Sequence, residues 1–292
     1  MKRKEFILKG LFTSLAATLL PSSAGASNIE TSEATEASAS NNLGYNHMPN
    51  KETTTFNSVL HKANTRGSAD HGWLKANHTF SFANYRNPER MSFGVLRVLN
   101  DDSIAGGKGF PTHPHANMEI ITIPLEGRIK HKDSMGNESV ISSGDIQVMS
   151  AGSGVQHSEY NAEELADLKL LQIWLFANKQ EVEPRYQQIP ITSLKQKNEF
   201  YQVLSPSKDD QGVWIYQNAW FHMGTFELDK KLNYQIRSKE NGLYAFMIDG
   251  EAEINGQQLE KRDGFGLWNL EEVSIAAKKG AKILLMEVPM KL

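Results

Sequence analysis

From about Thr55 onward the chain is written in short apolar segments broken by turn residues every 8–12 positions or so, the spacing of antiparallel strands in a sandwich or barrel. Long stretches with apolar residues at helical spacing are hard to find. Ile120-Ile121-Thr122-Ile123 predicts a strand that stops at Glu126-Gly127, Ser134-Met135-Gly136-Asn137 a turn, and Val140-Ile141 a strand leading into Ser143-Gly144-Asp145. Ile146 to Met149 ends at Ala151-Gly152-Ser153-Gly154, and Leu168 to Phe176 is an apolar run short enough for a core strand. A second series follows: Trp214 to Tyr216, Tyr244 to Ile248, Ala252 to Ile254, Gly264 to Trp268 and Ile283 to Val288. Asn255-Gly256 between two of these runs is the signature of a type I′ hairpin. The order of turns repeats, with Leu125-Glu126-Gly127 answered by Ile248-Asp249-Gly250 and Ser143-Gly144-Asp145 by Arg262-Asp263-Gly264. The expected architecture is all-β, two copies of one barrel module over residues 55–185 and 186–292, with the seam near Pro184 and the polar stretch Ser193 to Lys197.

Before the first strand the pattern is different. Lys2, Arg3, Lys4 and Lys9 stand against one Glu5, Leu11 to Leu20 is dominated by Leu and Ala, and Ala24-Gly25-Ala26 supplies small residues. A basic segment, a short apolar segment and a small-residue site read as a secretory signal over residues 1–26, because a bilayer-spanning helix needs about 20 apolar residues. An uncut membrane anchor is the alternative. Arg3-Lys4-Glu5-Phe6 resembles a twin-arginine export motif with Lys in the second position. An exported product, periplasmic or secreted, without a membrane span after cleavage, is therefore expected; an unused signal leaves it in the cytoplasm. Residues 27–54 hold little apolar surface, with Ile29 the one large aliphatic residue between Ser27 and Asn42, and read as a solvated tether.

Composition narrows the chemistry. The chain of 292 residues carries 31 Lys+Arg against 34 Asp+Glu, net −3; removing residues 1–26 takes away four cations and one anion and moves −3 to −6. No general attraction to nucleic acid follows. Cys is 0, which excludes disulfides, thiolate nucleophiles, Cys-ligated zinc and iron–sulfur clusters. Any metal has to be held by His, carboxylates or carbonyls.

Two compact groups meet that need: His113-Pro114-His115 and His157-Ser158-Glu159. On a strand, residues two apart share a face, so each pair can aim both side chains into a barrel interior. Three imidazoles and one carboxylate suit a borderline divalent ion such as Fe, Mn, Ni, Cu or Zn, with positions left open for water or substrate. Glu119, at compatible parity with His113 and His115, is a competing carboxylate that spacing alone does not separate from Glu159.

At these residues the chain resembles a known family. Gly109, His113-x-His115-x3-Glu119 and Gly127 match the first cupin motif, and Gly144, Gly154-x2-His157 and Asn161 the second, with Ser150 where many cupins have Pro. Arg66-Gly67, Asp70-His71-Gly72, His78-Thr79-Phe80-Ser81-Phe82, Phe110-x2-His113-Pro114-His115, Asp133-Ser134, Met149-Ser150-Ala151-Gly152 and His157-Ser158-Glu159 together resemble the pirin family, especially bacterial pirin-like quercetin dioxygenases, over about residues 58 to 292. The resemblance implies two tandem cupin barrels of the double-stranded β-helix, jelly-roll type. It implies one metal, Fe(II) first with Mn, Ni, Cu or Zn as alternatives, held in the N-terminal barrel by His113, His115, His157 and Glu159. The C-terminal barrel is expected to have no metal site. Glu159 would also be the catalytic base, taking a substrate hydroxyl proton while O2 opens the ring of a flavonol or related enol or catechol. The alternative is a non-catalytic metal-binding regulatory or partner-binding protein. Partners expected are a small aromatic substrate and O2, with a monomer favoured.

The remaining histidines are expected to be structural. His71 and His78 are read as hydrogen-bonded, with lining of the cavity mouth as the second reading; His47 and His61 precede the barrel, His131 sits between Lys130 and Lys132 on a solvent face, and His222 stands alone. Trp73, Trp174, Trp214, Trp220 and Trp268 are expected in the core.

Overall fold

The structure is a computed structural model that describes residues 56–291; the expected signal segment and tether, and His47, lie outside the described residues. The first half of the chain contributes β1 (Asn57–His61), β2 (Gly67–Asp70), β3 (Leu74–His78), β4 (Leu96–Ile104), β5 (Gly109–His115), β6 (Met118–Glu126), β7 (Arg128–Asp133), β8 (Glu138–Ser142), β9 (Asp145–Ser150), β10 (Val155–Asn161), β11 (Leu168–Phe176) and β12 (Arg185–Pro190). The second contributes β13 (Phe200–Ser205), β14 (Val213–Trp214), β15 (Trp220–Thr225), β16 (Lys230–Gln235), β17 (Asn241–Asp249), β18 (Ala252–Ile254), β19 (Gln257–Leu259), β20 (Gly264–Trp268), β21 (Glu272–Ala277) and β22 (Lys282–Pro289). No helix among the described residues is long and apolar enough to cross a membrane.

The strands form two barrels of one design, each a seven-stranded sheet facing a four-stranded one. In the first, β12-β9-β6-β11-β4-β3-β2 faces β5-β10-β7-β8; in the second, β1-β20-β17-β22-β15-β13-β14 faces β16-β21-β18-β19. The repeated turn order of the sequence thus corresponds to a repeated sheet pattern. Asn255 and Gly256 adopt φ of 45° and 81°, and Ile254 pairs with Gln257 across them, as a two-residue hairpin requires.

Strand parity explains the main cores. On β17, Leu243, Ala245 and Met247 fill the second barrel with Ile275, Ile283 and Leu285, while Tyr244 and Phe246 point the other way. On β6, Ile121 and Ile123 likewise turn their backs on the first barrel's interior and join Tyr244, Phe246, Leu284 and Met286 in one buried cluster between the two large sheets. Alternate residues of the same strand therefore serve a barrel and the seam, which is why these strands read as continuous apolar runs rather than as alternating ones. The first barrel's interior is apolar at one end, where Leu74, Ile104, Ile129, Ile141 and Leu168 pack, and polar at the other.

The chain does not fill its barrels in order. β1 pairs antiparallel with β20, Asn57 opposite Trp268 and His61 opposite Gly264, so the first strand completes the second barrel. His61 Nδ1 lies 2.8 Å from the Tyr244 hydroxyl, and Lys62 Nζ donates to Asp263 Oδ2 at 2.6 Å. At the other end, β12 pairs along β9 within the first barrel's large sheet.

Candidate metal centre

The polar end of the first barrel is made by β5, β10 and β7. β10 lies between the other two, with His157 opposite His113 on one side and opposite Asp133 on the other. A bulge between His157 and Glu159 shifts the β5 register, so Glu159 faces Phe110 there while remaining opposite His131 on β7. Gly109 permits the close approach at that bulge: a Cβ on it would stand 2.1 Å from the Glu159 carbonyl oxygen.

The structure brings His113, His115 and His157 together, with ring centroids 4.8, 4.5 and 4.9 Å apart. One ring nitrogen of each falls within 4.8 Å of the others, and a ring nitrogen each of His131 and His157 and a carboxylate oxygen of Glu159 likewise lie within 4.8 Å of one another. His157 and Glu159 are 2% and 3% exposed, so this is an interior site, with the half-buried His113 and His115 at its outer side. His113 Nδ1 is 2.8 Å from the Pro111 carbonyl oxygen, which fixes Nδ1 as the protonated nitrogen and leaves the Nε2 lone pair free. Gln172 Nε2 donates to both oxygens of Glu159, at 3.2 and 3.0 Å, and Thr122 Oγ1 donates to Gln172 Oε1 at 2.8 Å, which fixes the orientation of that amide.

His115 and His157 are held neutral. Burial first, then the neighbouring His157 and His113, pushes His115 down to about 3; burial, then His113 and His131, pushes His157 down to about 3. His115 Nε2 and both ring nitrogens of His157 are buried with no hydrogen-bond partner. Buried polar atoms are normally paired. Convergent imidazole lone pairs beside a carboxylate are the donor set of a divalent cation, and such an ion would supply the missing partners.

Several other residues stand differently from what their spacing predicts. Glu119 is fully buried but on the opposite face of β6 from Ile120 and Thr122, because Asn117, at φ 53°, turns the chain between β5 and β6 and resets the parity. Its Oε2 accepts from Ser150 Oγ at 2.6 Å, near Arg185 and the Tyr216 main chain, in the seam between the barrels. His131 is not on a solvent face: β7 alternates, with Arg128, Lys130 and Lys132 exposed and Ile129, His131 and Asp133 buried. His131 Nε2 lies 3.1 Å from Asp133 Oδ2, and its ring is 5.3 Å from His157 and 4.9 Å from Tyr186. The period-two pattern of residues 128–133 was the available signal. Trp174 is not simply core either, since its ring meets His115 edge-on at 4.9 Å with a buried, unpartnered Nε1. Asp102, unremarkable in the sequence, is buried on β4; burial, then Asp101 and Glu159, raises its carboxyl to about 8. His78 bonds Asn100 at 2.9 Å, as its hydrogen-bonded reading expects, while His71 is exposed. His222 does not stand alone, since Tyr234 and Arg237 lie against it.

With this geometry in view, the likenesses of the chain are informative. A model of the pirin family matches residues 59–175, and a model of the quercetinase C-terminal cupin domain matches residues 202–288. Quercetin 2,3-dioxygenase of Escherichia coli (strain K12) is 41% identical over 230 residues, 79% of this chain and 98% of that relative. A pirin-like protein of Caulobacter vibrioides is 39% identical over 222 residues, 76% of this chain and 95% of its own length. The crystal structure of a bacterial pirin from Escherichia coli in complex with nickel(II), 40% identical, superposes with a TM-score of 0.75 over 80% of this chain and 99% of its own. Both barrels are thus accounted for along nearly the whole length of these relatives, and the chain belongs to the pirin family.

Proposed function

We propose that this protein is a metal-dependent oxygenase of the quercetin 2,3-dioxygenase type that opens the ring of a flavonol or a related enol or catechol. The observation that carries this reading is the convergence of His113, His115 and His157 at the polar end of the first barrel, the latter two with buried, unpartnered ring nitrogens, beside the Glu159 carboxylate that groups with His157. Relatives named quercetin 2,3-dioxygenase support it. His113, His115, His157 and Glu159 would hold one divalent ion, with Fe(II) the first choice and Mn, Ni, Cu or Zn the alternatives. When bound, the ion supplies Lewis acidity toward substrate oxygens and a route for electrons to O2.

The chain's own residues do the rest. Glu159, oriented by Gln172, accepts the proton of the substrate hydroxyl. Gln172 stabilises the carboxylate by donating to it before the proton arrives, and Thr122 keeps the amide turned that way. Trp174, with Phe82 packed edge-on against it at 5.3 Å, gives a flat apolar wall beside His115 against which an aromatic ring can lie. The second barrel contributes the packed seam and, in this reading, no metal ligand. Export by the N-terminal segment is part of the same proposal and puts the reaction outside the cytoplasm.

Oxygen uptake by the iron-loaded protein over a panel of flavonols and catechols, with carbon monoxide release followed in parallel, tests the activity. Uptake that depends on metal and on a free enolic hydroxyl is expected. No uptake with any of the five metals, together with tight capture of a protein partner, overturns it in favour of a regulatory role.

A further inference from the structure

The second barrel carries an open groove, with the exposed Arg237 at its edge, that the proposed oxygenase chemistry leaves unused. It holds about 390 Å³. Its apolar wall is Phe200, Leu232 and Ile236, and its polar end is His222, Tyr234 and Arg237.

The polar end is built outward from a buried carboxylate. Glu287 on β22 is fully buried, and both its oxygens are occupied: Oε1 accepts from the Arg237 main-chain N–H at 2.8 Å and Asn241 Nδ2 at 2.7 Å, and Oε2 accepts from the Tyr234 hydroxyl at 2.9 Å. A buried carboxylate is tolerable only when so satisfied. These bonds pin the segment after β16 at two points and spend the Glu287 charge on an amide, a phenol and a main-chain N–H. The Arg237 guanidinium is therefore not the partner of that carboxylate. It approaches Gln202 Oε1 at 3.2 Å and His222 Nε2 at 3.4 Å, and lies over the Trp220 ring at 5.4 Å.

His222 is kept neutral, since burial and then Arg237 push it down to about 4. Because the Tyr234 proton goes to Glu287, His222 Nδ1–H is the donor toward the Tyr234 oxygen at 3.3 Å, and Nε2 faces Arg237 as an acceptor. The other charged lining group, Glu199, is paired with Lys230 at 2.9 Å. Among the described residues, Arg237 is thus the one charged group lining the groove that has no ion-pair partner. A planar guanidinium held at its root and backed by an indole matches a carboxylate through two parallel hydrogen bonds.

We propose that this groove is a second ligand site, selective for a small aryl carboxylate whose carboxylate pairs with Arg237 and whose ring lies against Phe200, Leu232 and Ile236. Benzoate is the probe. Calorimetric titration of the chelator-treated full chain carrying His113→Ala and His115→Ala, so that the first barrel cannot answer for it, should give one saturable benzoate site per chain. Arg237→Gln should weaken that site by about tenfold or more, as should replacing benzoate by neutral benzyl alcohol, because a charge-assisted bidentate contact is lost in each case. Leu232→Trp, which fills the groove and leaves Arg237 in place, should abolish binding, with melting curves confirming that each variant is folded. The proposal falls if no saturable binding occurs below about 10 mM benzoate. It falls equally if binding survives both Arg237→Gln and Leu232→Trp, or if benzyl alcohol binds as tightly as benzoate.

Discussion

Glu159 and Glu119 are both buried carboxylates of the first barrel, and their surroundings give them opposite work. Glu159 faces the imidazoles and receives two bonds from one amide; Glu119 faces the seam with Oε1 unpartnered. Glu159→Gln is expected to keep the fold, weaken metal binding and lower oxygen uptake by more than the roughly 10²–10⁴-fold of a lost general base, since a charge facing the ion goes with it. Glu119→Gln should stay loaded, with His115→Ala as the reference for a lost ligand; metal analysis of the three variants side by side decides it, and an emptied Glu119→Gln would reverse the assignment. Glu119 also has a pH signature. Burial raises its carboxyl from 4.5 to about 7, with the Ser150 bond and Arg185 opposing. The folded state then binds more protons than the unfolded one between those values, so stability is full below about pH 4.5 and declines as pH rises through 7. Glu119→Gln should remove that decline. Its melting temperature relative to the parent should climb between pH 5 and pH 8, by the equivalent of up to about 3 kcal/mol; a constant difference would show that Glu119 does not titrate in this range. The pairing of His113 with His115 and of His157 with Glu159 was legible because each pair lies on one strand at spacing two. The separation of Glu119 was not, because it depends on a single left-handed residue, Asn117, that ends one strand's parity and starts another's.

At the level of the strand, the site depends on how closely β5 and β10 approach. Gly109 has nowhere to put a side chain, with the Glu159 carbonyl oxygen 2.1 Å and Tyr160 Cα 2.5 Å from where its Cβ would lie. Gly109→Ala should prise the two strands apart at the bulge, separating the His113–His115 pair from His157 and Glu159. The expected result is metal affinity reduced by tenfold or more with a stability loss of about 1–3 kcal/mol, measured by metal titration and denaturant unfolding; unchanged affinity would mean that the bulge does not set the site. The strands themselves were mostly readable, as Leu168–Phe176 and Gly264–Trp268 show by coinciding with the apolar runs that predicted them. Trp214 to Tyr216 was less so: only Val213–Trp214 pairs, in parallel, with β13. The inward face of β7 was within reach of simple alternation, yet Lys130 and Lys132 drew attention to the wrong side of the strand.

For the whole molecule, the two modules were visible as a repeated order of turns, but the seam was not. Ile121, Ile123, Tyr244 and Phe246 are apolar in a way that any core residue would be, and only the folded chain shows that they face another barrel rather than their own. The N-terminal segment makes a separate prediction. Sequencing of the product outside the cytoplasm should begin near Ser27, and a full-length cytoplasmic protein would rule out the signal. Metal analysis of that product should find one ion per chain; two ions, with one surviving His113→Ala, would place a second centre elsewhere.

The lacing of β1 into the second barrel has a consequence for how the molecule comes into being. His61 and Tyr244 are 183 residues apart, and Asn57 and Asn269, whose side chains also bond, are 212 apart. The earliest of the described strands to leave the ribosome must wait until nearly the whole chain has been made before its partner exists. Meanwhile β20 is the edge it will cover, and an uncovered edge is a place where a second copy can pair instead. A gene divided between the barrels would strand β1 with the wrong half, so neither piece would carry a complete second barrel. Supplying residues 56–62 as a separate peptide to a chain that begins after them should restore that barrel's melting transition, making the first of the described strands the last piece of that barrel to be set.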